Sequence, residues 1–279
     1  MTERVPVALT IAGSDSGGGA GIEMDLKIFT ALDVFGACAI TALTAQNSVS
    51  VRGAWEVPPE FVAAQLEAVL DDLPVAAAKT GMLSSAAVVR AVVGALRERL
   101  SSLQLVVDPV VVAKDGSRLL SDEGIAAVRE ELIPLATIIT PNVPEAEQLS
   151  GMRIESEEEA RRAAEKLRSL GCDWVLVKGG HLQGQAVTDY LLGPGRAQAL
   201  SSSRFPGGPF HGTGCALSAA IAAHLARGKP VPEAVSAARD FVQELLGRAQ
   251  RLGQGSLLLH PTGGARSARS TRQPEDKQS

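Results

Sequence analysis

Short apolar runs recur along the chain: VALTIAG (7–13), ACAITAL (37–43), VAAAKTGM (75–82), LVVDPVVV (105–112), ATIITP (136–141) and WVLVKGG (174–180). Most are continuous rather than alternating, the pattern of strands buried on both faces of a parallel sheet. Between them the apolar positions switch to helical spacing. Pro58-Pro59-Glu60 opens a segment with Phe61, Val62, Leu66, Val69 and Leu70 predicted on one side. Proline suits a first helical turn, where its missing N–H has no partner to lose. Ser84 is expected to cap the next helix, running through Leu96, and Ser121 with Asp122 another. Ser156 and the acids at 157–159 open a helix closing near Leu170-Gly171, with the acids at its positive end and on a solvated face. At 233–252, Val235, Ala238, Val242, Leu245, Ala249 and Leu252 form a stripe that reads as core. Alternating strand and helix predict a doubly wound α/β fold with right-handed crossovers. A hairpin is expected over 186–200, turning at Gly193-Pro194-Gly195.

No linker or long repeat interrupts this pattern, so residues 1–260 are expected to form a single domain. The remainder, 261–279, is polar and rich in Gly, Ser and Arg, and is expected to be a disordered tail. Hydrophobic residues make up 45% of the chain but aromatics only 3%, which suits helices packed closely on a sheet. The net charge of −4 argues against nucleic-acid binding, which needs a basic surface. The three cysteines, Cys38, Cys172 and Cys215, are widely spaced and lack metal-ligand spacing, so neither a disulfide framework nor structural zinc is expected. No stretch reaches the roughly 20 apolar residues of a membrane span, and no signal-peptide pattern stands at the start. These features predict a soluble cytoplasmic protein without membrane or nucleic-acid partners.

AGSDSGGGAG (12–21) joins the first strand to a helix carrying Ile22, Leu26, Phe29 and Leu32. It fails three motif tests. A Walker A loop needs Lys where Gly19 stands, and a dinucleotide fingerprint needs Gly or Ala where Ile22 stands. A nucleophile elbow needs Ser where Asp15 stands. What remains is a bare backbone that lets a ligand approach the carboxyl end of a strand, or a tight strand-to-helix turn. The five glycines exceed what a turn requires.

HGTGC (211–215) is the stronger signal. Gly212 and Gly214 expose backbone N–H groups where a helix begins, and with the helix dipole they make an anion site. The same field is expected to lower the pKa of Cys215. That thiol could be a nucleophile, a metal ligand, a small buried residue, or a neighbour of a phosphoryl group in transfer. Nearby ligands for a metal are lacking.

TIAGSDSGGGAGIEMDLKIF (10–29), TALTAQNS (41–48), AKTGML (78–83), VVDPV (106–110), TPNVPEAEQL (140–149), VLVKGGH (175–181) and HGTGC (211–215) together resemble the hydroxymethylpyrimidine/phosphomethylpyrimidine kinases of thiamine synthesis, within the ribokinase-like superfamily. The motifs occur in the family's order and cover the chain to about Leu259. The resemblance implies a three-layer α/β/α fold with a central, mostly parallel sheet. It also implies ATP, magnesium and substrate at the strands' carboxyl ends, and a homodimer. Gln46, Gly13, Asp25 and Met82 would contact the substrate, Gln46 because an amide both donates to and accepts from an aminopyrimidine edge. A plain surface position is the alternative for Asp25. Asp108 and Glu145 would organise magnesium, a hard cation suited to oxygen ligands. Asn142, Thr213 and Lys178 would bind ATP, Lys178 as a charge for phosphate. Gly212 and Gly214 would donate N–H groups to the transferring phosphoryl.

The family commonly carries Gln then Ala where this chain has Glu23 and Met24, so Glu23 would affect substrate preference only if it faced the pocket. His211 receives no catalytic role, and His224 is expected to be packed. Sugar kinases of the superfamily usually place Asp where Cys215 stands. An alcohol acceptor gains from such a base, whereas a phosphate acceptor has already ionised and would be repelled by it. Cys215 is therefore expected to serve both acceptors, as a weak base for one and a neutral neighbour for the other. The rival readings are a pyridoxal kinase and a non-catalytic pyrimidine-binding protein.

Overall fold

A computed structural model describes residues 4–111, 119–181 and 186–261. Among these residues nine strands form one sheet, ordered β3-β2-β1-β4-β5-β6-β7-β8-β9. Its centre is parallel: β2 (Phe35–Gln46), β1 (Val7–Asp15), β4 (Val75–Thr80), β5 (Gln104–Val107), β6 (Ile138–Ile139) and β7 (Trp174–Val177). The edges are antiparallel, β3 (Val51–Glu56) on one side and β8 (Ala186–Gly193) with β9 (Arg196–Ser203) on the other. A second, two-stranded piece joins β10 (Phe210–His211) to β11 (Leu257–Leu258).

Side chains of the central strands alternate between two cores. Leu9, Ile11, Leu105, Val107, Ile139, Val175 and Val177 face one core, and Ala8, Ala77, Val106, Ile138 and Leu176 the other. Both sets are buried, which is why the runs read as continuously apolar. Helices α2 (Pro59–Asp72), α3 (Ala86–Arg97), α5 (Val143–Ser150) and α6 (Glu157–Arg168) cover the first face. Helix α4 (Asp122–Ala127), which runs on through a π turn, lies with them. Helices α1 (Gly21–Ala31), α7 (Thr213–Ala226) and α8 (Val231–Gly247) cover the second. The result is the expected ribokinase-like three-layer α/β/α fold around a mostly parallel sheet. Helix α7 is buried continuously over 216–225, as a helix apolar on all sides must be.

Several expectations shift. Ser85, not Ser84, caps α3, accepting from the N–H of Val88, while Ser84 has φ +59°. Ser121 and Ser156 cap as predicted. Phe61 is 60% exposed rather than on the buried side of α2, because Val62 and Leu66 already occupy that side. Helix α8 ends at Gly247, so the stripe loses Leu252, which is exposed. The hairpin forms with Pro194-Gly195 as its two-residue turn. Strand β3 was not expected from the apolar pattern. The predicted disordered tail lies, apart from Pro261, outside the described residues.

The connection from β1 through α1 leads to β2 on one side, and the later strand β4 pairs on the other. Such a reversal opens a crevice at the carboxyl ends of the strands, where α/β sheets bind ligands.

Candidate active site

A cavity of about 710 Å³ occupies that crevice. Gly13, Gln46, Met82, Asp108, Asn142, Glu145, Lys178, Gly212, Thr213, Gly214 and Cys215 all line it. Each stands near a strand end, in the first turn of α5 (Glu145) or at the start of α7, so the sheet's register gathers them. A bridge between Asn142 and Lys178, with the Lys178 N–H donating to Pro141 O at 2.8 Å, extends the β6–β7 pairing to the rim.

Asp25 lies deeper. It is wholly buried, accepts from Thr10 Oγ1 at 2.6 Å and pairs with Lys79 Nζ at 2.9 Å. It is therefore not a surface residue, and its partner Lys79 lines the cavity instead. Burial opposes a charge on Lys79, but Asp25, through its charge and hydrogen bond, together with Cys215 and Asp108 raises its pKa overall and keeps the ammonium charged. Sequence reasoning missed Lys79 because it sits inside the apolar run VAAAKTGM, where a single cation leaves no pattern.

A second pair lies beside it. Lys178 Nζ donates to Asp108 Oδ1 at 2.9 Å, and Thr140 and Ser218 hydroxyls donate to the two Asp108 oxygens at 3.1 and 3.0 Å. Burial pushes Asp108 up, but the charges of Lys178 and Lys79 and the hydrogen bonds hold it below the usual carboxylate range. Glu145 behaves oppositely. Burial drives it up, Lys178 opposes and Asp108 adds to the rise, leaving it at about 7. It forms a capping box with Asn142: Asn142 N–H donates to Glu145 Oε2, and Glu145 N–H to Asn142 Oδ1. These two carboxylates suit magnesium, which takes one or two of them and fills its other positions with water and phosphate oxygens.

Helix α7 begins at Thr213, within the HGTGC segment. Its N-cap, Gly212, is left-handed (φ +81°), and no side chain caps the helix. The first-turn N–H groups therefore lack intrahelical and side-chain acceptors. A Cβ on Gly214 would sit 3.4 Å from Lys178 Nζ, so the turn lies against the Asp108–Lys178 pair. Cys215 departs from expectation. Burial drives its pKa up, and Asp25 and Asp108 add to the rise against the pull of Lys79 and the Gly21 N–H, to about 11. The helix field does not overcome that burial. Cys215 is a neutral thiol, not a poised thiolate.

The loop after β1 lines the cavity through Gly13, Ser14, Asp15, Ala20 and Gly21. Asp15 Oδ1 accepts from the N–H of Gly17 at 2.8 Å, and Oδ2 from those of Gly19 and Ala20 at 3.1 and 2.9 Å. The loop's anion nest is thus filled by its own carboxylate. Its glycines serve chain contact: a Cβ on Gly21 (φ +58°) would stand 2.4 Å from Gly13 O. Glu23 accepts from Ser14 Oγ and from the Asp15 N–H, so its extra charge is taken up by the loop. Met24 is buried in the core. His224 is buried, and burial, Lys229 and Arg227 lower its pKa to about 4.

Residues 15–260 match the family model described as phosphomethylpyrimidine kinase. A hydroxymethylpyrimidine/phosphomethylpyrimidine kinase of Streptomyces coelicolor is 47% identical over 250 residues, 90% of this chain and 92% of that protein. The thiamine biosynthesis bifunctional protein ThiED of Geobacter sulfurreducens is 47% identical over 247 residues, 88% of this chain and 50% of that one. The ADP complex of Bacillus subtilis pyridoxal kinase superposes with a TM-score of 0.84 at 36% identity, over 92% of this chain and 98% of that one.

Proposed function

The chain belongs to the phosphomethylpyrimidine kinase family, and from that premise we infer how its cavity works. The protein is a kinase of thiamine biosynthesis. It transfers the γ-phosphoryl group of ATP to the hydroxymethyl oxygen of 4-amino-5-hydroxymethyl-2-methylpyrimidine, and then to a phosphate oxygen of the resulting monophosphate. In each step an O–P bond to the acceptor forms, the bond to the ADP oxygen breaks, and any acceptor proton leaves to solvent.

The observation that carries this reading is one cavity holding three features. They are the uncapped first turn of α7, the buried Asp108–Lys178 pair and the Gln46 amide. Phosphoryl transfer asks a protein mainly for position and charge. Gly212, Thr213 and Gly214 are proposed to donate backbone N–H groups to the γ-phosphoryl, and Lys178 to neutralise its growing charge. Asn142 is proposed to orient the nucleotide. Asp108 and Glu145 would hold magnesium, which when bound neutralises phosphate charge. Gly13, Gln46 and Met82 are proposed to seat the pyrimidine. A Cβ on Gly13 would stand 3.3 Å from Met82 Sδ, so the two close one wall together. Asp25 is proposed to act through Lys79, which it holds in place. Cys215, neutral, is proposed to leave room for either acceptor without repelling the second.

We further propose a homodimer working in the cytoplasm. Exposed Leu43, Trp55 and Phe61 beside the β2–β3 edge support the first, and three unpaired cysteines the second. Among the described residues no helix is long and apolar enough to cross a membrane.

Turnover with the pyrimidine alcohol, its monophosphate and pyridoxal, each with and without magnesium, tests the reading. Both pyrimidine acceptors should be phosphorylated only with magnesium, and pyridoxal more slowly. Preference for pyridoxal, or ligand binding without ATP turnover, overturns it.

A further inference from the structure

His211 stands immediately before the phosphoryl turn, 165 positions in sequence from Gln46 and 196 from Asp15, and its ring joins all three. Its Nε2 lies 3.0 Å from Asp15 Oδ2 and 3.1 Å from the outer amide atom of Gln46, drawn as Nε2. Asp15 Oδ2 already accepts from the N–H groups of Gly19 and Ala20, so it is an ionised acceptor with no proton to give. His211 Nε2 must therefore carry the proton and donate to Asp15. A protonated nitrogen cannot also accept from an amide NH₂.

The contact at 3.1 Å becomes a hydrogen bond, a second arm of that one Nε2–H shared with Asp15, only if the Gln46 amide is turned over, with its carbonyl oxygen toward His211. Amide oxygen and nitrogen positions are interchangeable until the surrounding donors decide them. The other end agrees. Thr44 Oγ1 spends its proton on Ser14 O at 2.8 Å, so at 3.3 Å from Gln46 it can only accept, which calls for the amide nitrogen there. Both neighbours select one orientation.

We propose that His211, held by Asp15, is a positioning residue that fixes the Gln46 amide with its carbonyl toward His211 and its NH₂ toward Thr44. One N–H and one carbonyl lone pair are then left for the acceptor ring. That fixed donor–acceptor pair recognises a ring nitrogen flanked by an exocyclic amine, and this recognition rests on the pyrimidine-kinase reading above. Because Gly212 follows His211 directly, the same ring ties the amide that reads the acceptor to the turn that cradles phosphate. A Cβ on Gly19 would meet His211 Cδ2 at 2.5 Å, so the ring is clamped between the two loops.

Two measurements test this. In the wild-type protein, long-range ¹H–¹⁵N spectra should show His211 Nε2 protonated; a bare Nε2 with a protonated Nδ1 overturns the proposal whatever the enzyme's substrate. In kinetics, His211→Ala should raise KM for the pyrimidine alcohol about tenfold, with KM for ATP little changed. His211→Gln, which keeps an N–H at similar reach, should restore most of it. In a Gln46→Ala background, His211→Ala should add less than about twofold, as residues acting through one group do. Additive losses, or a loss confined to kcat, overturn the positioning role. Absence of any turnover with the pyrimidine by the wild type would instead refute the kinase reading and leave the spectroscopic result standing.

Discussion

Two strand-to-helix turns abut at the site, and both are glycine-rich. The turn after β1 spends its backbone donors on its own Asp15. The turn into α7 has no such filler: its N-cap is glycine and its first turn holds no acid. Local sequence chemistry is similar, yet one nest is closed and the other open. Glycine content therefore does not mark a ligand site by itself. What decides is whether a side chain of the loop can reach back into the nest, as Asp15 does and as Thr213, already inside its helix, does not.

The comparison breaks most severely at Gly212. A Cβ there would lie 1.9 Å from the carbonyl oxygen of Gly19, at φ +81°, so alanine forces the two turns apart. Displacing a phosphoryl cradle by about 1 Å costs roughly a hundredfold in rate. Gly212→Ala should lose at least that in kcat, and a loss below fivefold would show that the cradle lies elsewhere.

Asp15→Ala should sharpen the contrast by emptying the closed nest. Unsatisfied buried donors cost roughly 1–3 kcal/mol each, and three backbone donors, one buried and two part-buried, are stranded. Denaturant unfolding should show a loss of about 3 kcal/mol. Added sulfate should recover more stability in this variant than in the wild type, because the vacated nest becomes an anion site. A loss under about 0.5 kcal/mol would mean the carboxylate is not the filler.

Glu145 gives a smaller effect that depends on pH. Its folded pKa of about 7 lies above the ordinary 4.5, so between those values the folded protein binds more protons than the unfolded chain. Its contribution to stability is present at low pH and is lost as pH rises through about 7. His224, lowered to about 4, runs the other way over lower pH. The difference between wild type and Glu145→Gln removes that background. Without nucleotide, the variant should lose less stability than the wild type between pH 5 and pH 8. Magnesium and nucleotide should narrow the gap, since bound cation favours the carboxylate. An unchanging difference across that range would contradict the raised pKa.

Much of this was legible in the chain. Buried parallel strands announce themselves as apolar runs; Asn142 and Lys178 stand where the apolar residues of two runs stop, and Asp108 interrupts another. The serine caps of α4 and α6 and the hairpin turn carry local signals. Strand β3 does not: VRGAWE is mostly exposed, so no apolar period survives, and only pairing to β2 defines it. Lys79 escapes for a related reason: its partner Asp25 lies 54 positions away, and nothing local records the contact. Asp15 differs, because its carboxylate accepts from N–H groups only two to five residues on, and it is the His211 contact, 196 positions away, that leaves no local trace. The thiol pKa fails differently. The helix terminus was legible, but the burial that outweighs it comes from tertiary packing against the core.

The central claim is that the open turn serves two acceptors because the side chain beside it carries no charge. The direct measurement is kcat/KM on the alcohol and on the monophosphate for wild type, Cys215→Ala and Cys215→Asp. Cys215→Ala should reduce both by similar, small factors, because a thiol with a pKa near 11 is no effective base at neutral pH. Cys215→Asp should lower the monophosphate-to-alcohol ratio at least tenfold, through repulsion of the phosphate acceptor. An unchanged ratio in Cys215→Asp, or an alcohol-specific loss in Cys215→Ala, would contradict the account.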